Sequence, residues 1–125
     1  LNISFDKVKH KEYDGLIIPG GRAPEYIKLD ERVINTIIEI DKERKPIIAI
    51  SKGIQLLTAA NIIEGMRVTS CPSSINEIKL SRGKYVSVDK DNIIVDHNII
   101  TGYSWHANPK LMQEFMRQLG TKIYI

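Results

Sequence analysis

The stretch Pro46-Ile47-Ile48-Ala49-Ile50-Ser51-Lys52-Gly53-Ile54-Gln55-Leu56-Leu57 constrains this chain more than any other part of it. Residues 47–50 form a mostly β-branched apolar run bounded by Pro46, which predicts a short buried strand. Apolar residues at 54, 56, 57, 59 and 60 predict a largely buried helix over 53–60. Only Ser51 and Lys52 separate the two patterns. So sharp a reversal holds its central residue in a strained conformation and needs small neighbours where strand and helix approach. Ala49 and Gly53 stand two residues before and two after Ser51, a relaxed form of the G-x-S-x-G nucleophile elbow. The elbow predicts that Ser51 lies at the carboxyl end of a sheet, where open α/β sheets bind ligands.

The rest of the chain alternates strand and helix signals. Residues 1–8 alternate loosely and predict an edge strand or connector, followed by a polar loop over 9–14. Leu16-Ile17-Ile18 reads as a buried strand stopped by Pro19-Gly20-Gly21, where the glycines free the backbone to approach a ligand. Residues 24–29 predict a turn of helix. Asp30 caps a helix over 31–42 with Val33, Ile34, Ile37, Ile38 and Ile40 on its apolar face. A strand is expected over 66–70, and then a short helix capped by Ser73 or Ser74 and ended by Gly83. Residues 85–88, 92–95 and 99–101 predict short antiparallel strands, with Asp96-His97-Asn98 as a turn. Asn108-Pro109 predicts the N-cap and first turn of a last helix reaching about Leu119, with Leu111, Met112, Phe115, Met116 and Leu119 inward. Alternating strands and helices imply an α/β layered sheet in a single domain over 1–125.

Composition narrows the function classes. The 125 residues are 42% hydrophobic and 26% charged, as in ordinary globular domains. The net charge of +3 is mild and the basic residues are scattered, which argues against a nucleic-acid partner. The single cysteine, Cys71, excludes an internal disulfide framework and fits a reducing, cytoplasmic compartment. No run has transmembrane length, and no membrane partner is expected. Three isolated histidines and one cysteine give no metal-ligand spacing, so neither metal nor cofactor is expected.

Four segments carry a resemblance. Tyr13-Asp14-Gly15-Leu16-Ile17-Ile18-Pro19-Gly20-Gly21-Arg22-Ala23-Pro24-Glu25 resembles the DJ-1/PfpI family, its PfpI-type intracellular protease branch in particular. Residues 46–53 resemble that family's K-P-[VI]-A-[AS]-I-C-H-G elbow, and Gly65-Met66-Arg67-Val68-Thr69 and Ile94-Val95-Asp96-His97-Asn98-Ile99-Ile100-Thr101 follow in the family's order. The resemblance implies a flavodoxin-like three-layer sandwich with a mostly parallel sheet. It implies a homo-oligomer, and peptidase, glyoxalase, deglycase or redox-responsive chaperone activity on a small carbonyl or peptide ligand. It also implies that the family's N-terminal strand–helix–strand unit, with an acidic residue beside the nucleophile, lies outside this sequence.

The catalytic pair departs from the family pattern. Ser51 stands where the family has Cys, and Lys52 where it often has His. Trp105-His106-Ala107-Asn108-Pro109 resembles W-P-x-H-P, with Asn108 in the His position and His106 in the Pro position. A serine hydroxyl needs an adjacent base, and the replacements remove both nucleophile and base. Ser51 is thus either a nucleophile served by a desolvated Lys52 or a structural or ligand-binding serine, and the missing base favours the second. Gly20 and Gly21, with Lys52, are the candidate oxyanion pocket. Glu25 matches the position at which PfpI-type oligomers present a carboxylate to a neighbouring subunit, where a pair with Lys52 is conceivable. Trp105 and His106 are candidate pocket-rim residues, with packing and capping as the plainer role. Cys71 reads as a half-buried free thiol near the site side of the sheet, with a redox role left open. The expectation is a catalytically degenerate member acting in binding, stress response or regulation, with an active Ser51 hydrolase as the alternative.

Overall fold

The computed structural model describes residues 13–120; the strand expected over 1–8 lies outside them. Four strands, β1 (Leu16–Ile18), β2 (Ile47–Ile50), β5 (Ile93–Asp96) and β6 (Ile99–Gly102), form one sheet in the order β1-β2-β6-β5. β1, β2 and β6 run parallel, and β5 joins β6 antiparallel through the Asp96-His97-Asn98 turn. A two-stranded parallel ladder, β3 (Arg67–Val68) with β4 (Lys84–Tyr85), stands beside it. The helices are α1 (Ala23–Ile27), α2 (Glu31–Lys42), α3 (Ile54–Ala59), α4 (Ile75–Leu80) and α5 (Asn108–Gln118).

The period of β2 explains the layering. Successive side chains of a strand point to opposite faces. Ile47 and Ala49 join the core beneath α2 and α3 with Ile18, Ile37, Ile40, Ile54, Leu57 and Ile99. Ile48 joins the other core, with Ile100, Ala107, Leu111 and Phe115, under α5. An amphipathic helix covers each face, so the unbroken apolar run of β2 is required rather than tolerated. The result is α/β with a mostly parallel sheet between helices, as expected.

Helix α2 begins and ends as its sequence dictates. The Asp30 carboxylate accepts the Arg32 backbone N–H at 2.9 Å, and Val33, Ile37 and Ile40 are buried. Asn98 ties the far end of this layer to the hairpin. Its Nδ2 donates to Asp41 Oδ1 at 2.9 Å and to the Lys45 carbonyl at 3.0 Å, while its carbonyl accepts Ile47 N–H at 2.8 Å. On the opposite side, Thr101 Oγ1 accepts Thr69 N–H at 2.9 Å, and Asp96 Oδ2 accepts Arg67 N–H at 2.8 Å. These two bonds hang the β3 segment on the main sheet through side chains, because no ladder joins β3 to it.

Several boundaries differ from the sequence reading. The strand expected over 66–70 is only two residues long, because Thr69 turns its N–H to a side chain instead of a strand partner. β4 pairs parallel with β3 rather than antiparallel. Ser74 precedes α4 but makes no side-chain cap. That helix ends at Leu80, and the left-handed residue that closes it is Arg82, at φ 62°, and not Gly83. Gly83 is small for packing: a Cβ there would lie 2.9 Å from Ile63 Cδ1. Asn108 is the first residue of α5, and the capping is done upstream by Ser104, whose side chain accepts His106 N–H. Met112 and Leu119 lie at the exposed edge of α5, Ala59 is exposed, and Gln55 is buried in its stead on α3. Arg44, Asn61 and His97, like Arg82, are left-handed residues closing turns.

Gly53 is where α3 meets β1. A Cβ there would lie 2.7 Å from the Ile18 carbonyl oxygen and 3.0 Å from that of Pro19, both rigid backbone. Gly53→Ala is expected to destabilise the domain by about 1–3 kcal/mol through forced separation of helix and strand. Urea denaturation followed by circular dichroism measures it, and an unchanged midpoint would refute this account of the packing.

Candidate functional site

The elbow forms as the sequence dictates. β2 ends at Ile50 in extended backbone, and the next residue, Ser51, takes φ 53°. A non-glycine residue there carries strain on the order of 1–3 kcal/mol, kept only when its surroundings impose it. Ser51–Gly53 is a single 3₁₀ turn that leads directly into α3. The Pro19-Gly20-Gly21 turn backs onto it. A Cβ on Gly20 would lie 3.2 Å from both Ser51 Cβ and the Ile50 carbonyl oxygen, and 3.8 Å from Ser51 Oγ. Gly21, at φ 91°, completes the reversal into α1.

Lys52 pairs with Glu25. Its Nζ lies 3.4 Å from Glu25 Oε1, bridging the elbow to α1 within one chain. An ammonium held by a carboxylate donates hydrogen bonds and has no lone pair to accept a proton. Both side chains are more than a third exposed, at 35% and 41%, so the pair contributes only about 0.2–1 kcal/mol. The sequence reading set this pair between subunits; here the two residues meet inside the chain.

Trp105 and His106 leave the same end of the sheet, since Ile50 stands opposite Gly102 in the parallel register. Their rings stack on each other with centroids 3.8 Å apart. Trp105 is 69% exposed, so the packing role expected for it fails: the ring covers His106 rather than the core. His106 Nδ1 lies 2.8 Å from Ser104 Oγ, and that hydroxyl also contacts the Lys90 carbonyl. Asn108, in the position of the family histidine, is exposed on the first turn of α5.

Cys71 is a half-buried free thiol on the site side of the sheet, where the sequence reading set it. It opens the Pro72–Ser74 turn, which packs against the Ser51–Gly53 turn. Its Sγ lies 3.2 Å from Ser73 Oγ and 3.9 Å from Ser74 Oγ. Partial burial pushes the thiol up, but hydrogen bonding from the Ser51 hydroxyl, then from Ser73 and Ser74, outweighs it. The thiol is held below its ordinary range. The one available signal was its position just after the β3 strand, and spacing alone does not aim it at Ser51. An apolar cavity of about 270 Å³ lies elsewhere, between β1, α1 and α2, and is lined by Ile17, Pro24, Ile27, Val33 and Thr36. It does not include the elbow. Among the described residues no cluster of three metal-ligating side chains occurs, and no helix is long and apolar enough to cross a membrane.

Comparison with known proteins places the chain in a family. The family model described as "DJ-1/PfpI family" matches residues 1–118. The chain belongs to the DJ-1/PfpI family. It is 36% identical over 124 residues to Protein DJ-1 homolog D of Arabidopsis thaliana, covering 98% of this chain and 32% of that protein. It is 30% identical over 125 residues to Deglycase PH1704 of Pyrococcus horikoshii, covering 95% of this chain and 70% of that protein. A two-domain protein of Anabaena variabilis, with DJ-1/ThiJ/PfpI-like and ferritin-like domains, superposes with a TM-score of 0.87 at 20% identity. That match covers 94% of this chain and 33% of that one. A ThiJ/PfpI domain protein of Brachyspira murdochii superposes at 0.84 and 20% identity, over 93% of this chain and 65% of that one. These structures establish the flavodoxin-like DJ-1 fold. The chain spans about a third of the Arabidopsis relative and 70% of the archaeal one.

The strain at Ser51 has a measurable consequence. Ser51→Gly relieves the left-handed penalty and is expected to stabilise the domain by about 0.5–1 kcal/mol in chemical denaturation. Destabilisation instead would mean that interactions of the Ser51 side chain outweigh the strain.

Proposed function

We propose that this domain is a degenerate DJ-1/PfpI unit. Its elbow binds a small carbonyl compound or peptide without turnover through Ser51, and the protein acts in binding, stress response or regulation. One observation carries the reading: Lys52, in the position of the family histidine, is engaged by Glu25 and leaves Ser51 without a base. The Asn108 substitution supports it, since a side-chain amide does not take a proton near neutral pH. The elbow keeps its strained serine and its glycine-lined approach, which is the part of the site that binding needs. Relatives named as deglycases suggest the carbonyl class of ligand. Glu25 and the rim residues Trp105 and His106 then shape access, and the exposed Trp105 ring suits an oligomer contact.

The test is methylglyoxal consumption by the native chain, Ser51→Ala and Ser51→Cys/Lys52→His. Native protein and Ser51→Ala are expected to leave the aldehyde equally unconsumed, while the double variant gains consumption. Native turnover that disappears in Ser51→Ala and persists in Cys71→Ser would overturn the reading in favour of a serine enzyme.

A further inference from the structure

We propose that the elbow of this chain selects ligands that carry a carboxylate, the 2-oxo acids among carbonyl compounds. Lys52 sets this preference, and Glu25 is the built-in competitor for its charge. The inference rests on the reading of the elbow as the ligand site. It adds the charge class of the ligand, which that reading leaves open.

Lys52 gives the elbow a full positive charge where the family pattern has histidine. Its ammonium reaches from the Ser51–Gly53 turn across to Glu25 on α1. The Pro19-Gly20-Gly21 turn leads into α1, and a Cβ on Gly20 would lie 3.8 Å from Ser51 Oγ. Hydroxyl and ammonium thus border the same turn. Residues 19–25 and 51–53 carry two cations, Arg22 and Lys52, and one carboxylate, Glu25. Arg22 is exposed and makes no ion pair among the described residues. The Gly20 and Gly21 N–H groups likewise have no acceptor among the described residues. The border of the elbow is therefore rich in donors and positive in balance.

The Lys52–Glu25 pair is loose enough to yield. Its 3.4 Å separation is long for a charge-assisted hydrogen bond, which runs at about 2.7–2.9 Å. Both side chains are half-exposed, so water screens the attraction. An ammonium has three donors, and its bond to Glu25 uses a single N–H. The others are open to a ligand. A carboxylate there accepts from Lys52 with charge on both sides, and such bonds are roughly twice as strong as neutral ones. A neutral carbonyl compound makes the same contacts without that charge. Glu25 works against an anion, both by repulsion and by holding Lys52. The two residues thus push the affinity for an anionic ligand in opposite directions. A purely structural ion pair gives a different pattern, because breaking it from either side has the same effect.

Pyruvate and its uncharged amide, pyruvamide, match in size and shape and differ in this one charge. Ligand-observed NMR titrations of the native chain, Lys52→Met and Glu25→Gln give the ratio of the two dissociation constants in each protein. The ratio cancels any general loss of site structure in a variant. The native chain is expected to favour pyruvate several-fold, and added salt to narrow that preference. Lys52→Met is expected to bring the ratio close to one, and Glu25→Gln to widen it beyond the native value. A native ratio of one, a ratio unmoved in Lys52→Met, or a ratio that narrows in Glu25→Gln would each overturn the proposal. Those results leave the elbow-binding reading standing, because both probes still bind. Binding of neither probe would overturn the proposal and the reading of the elbow as a carbonyl site together.

Discussion

The close approach of α3 to β1 is the contact on which the rest of this domain depends. It is made backbone to backbone, with the Ile18 and Pro19 carbonyls against the Cα of Gly53, and no side chain fits between them. That approach forces the chain to reverse within a single 3₁₀ turn after β2. The reversal puts Ser51 into left-handed backbone, and the Pro19-Gly20-Gly21 turn closes over it only because Gly20 has no Cβ. Packing, strain and site geometry are consequences of one steric condition.

The layer arrangement follows from period-two alternation in a strand that is apolar throughout. Ile47 and Ala49 are claimed by one core and Ile48 by the other. Fully burying an isoleucine side chain is worth about 1.5–3 kcal/mol, so neither face of β2 tolerates a polar residue. Polar chemistry is pushed to the carboxyl end of the sheet, where three turns emerge together. Ser51 comes from the first, Cys71 from the β3 segment, and Trp105-His106 from the end of β6. The β3 segment is anchored by side-chain oxygens of Thr101 and Asp96, which fixes where Cys71 begins. The Arg67 N–H, with a further contribution from His97, holds the Asp96 carboxyl below the usual carboxylate range despite its partial burial. The contribution of that anchor is therefore present at neutral pH and lost as pH falls through the lowered value.

The strongly patterned elements were legible in the sequence. The strand–turn–helix at residues 47–60 and the Asp30-capped helix reported themselves through local chemistry: β-branched runs, a cap, and a helical apolar stripe. The short pieces were not. β3 and β4 are two residues each, and their parallel pairing is decided by a 17-residue separation in sequence that periodicity does not encode. α4 ends at Leu80 as its pattern indicates, but the residue that closes it was misplaced, because Gly83 is a packing glycine while the left-handed turn is carried by Arg82. The same limit governed the site. Ser51 and Gly20 were found because they lie inside motifs. The position of Cys71 after a strand put it on the site side of the sheet, but its packing against the Ser51 turn comes from tertiary contacts that no local pattern announces.

The left-handed turns at Arg44, Asn61, Arg82 and His97 bear on how this domain could change. Each places a side chain where glycine would suit the backbone at least as well, and none of the four lies at the elbow. Local strain is thus spread over surface reversals that ligand chemistry does not constrain. A lineage, or an engineer, can raise the domain's stability at these reversals and use the margin to tolerate costly substitutions around Ser51 and Cys71. The turns are in this sense the domain's reserve of evolvability.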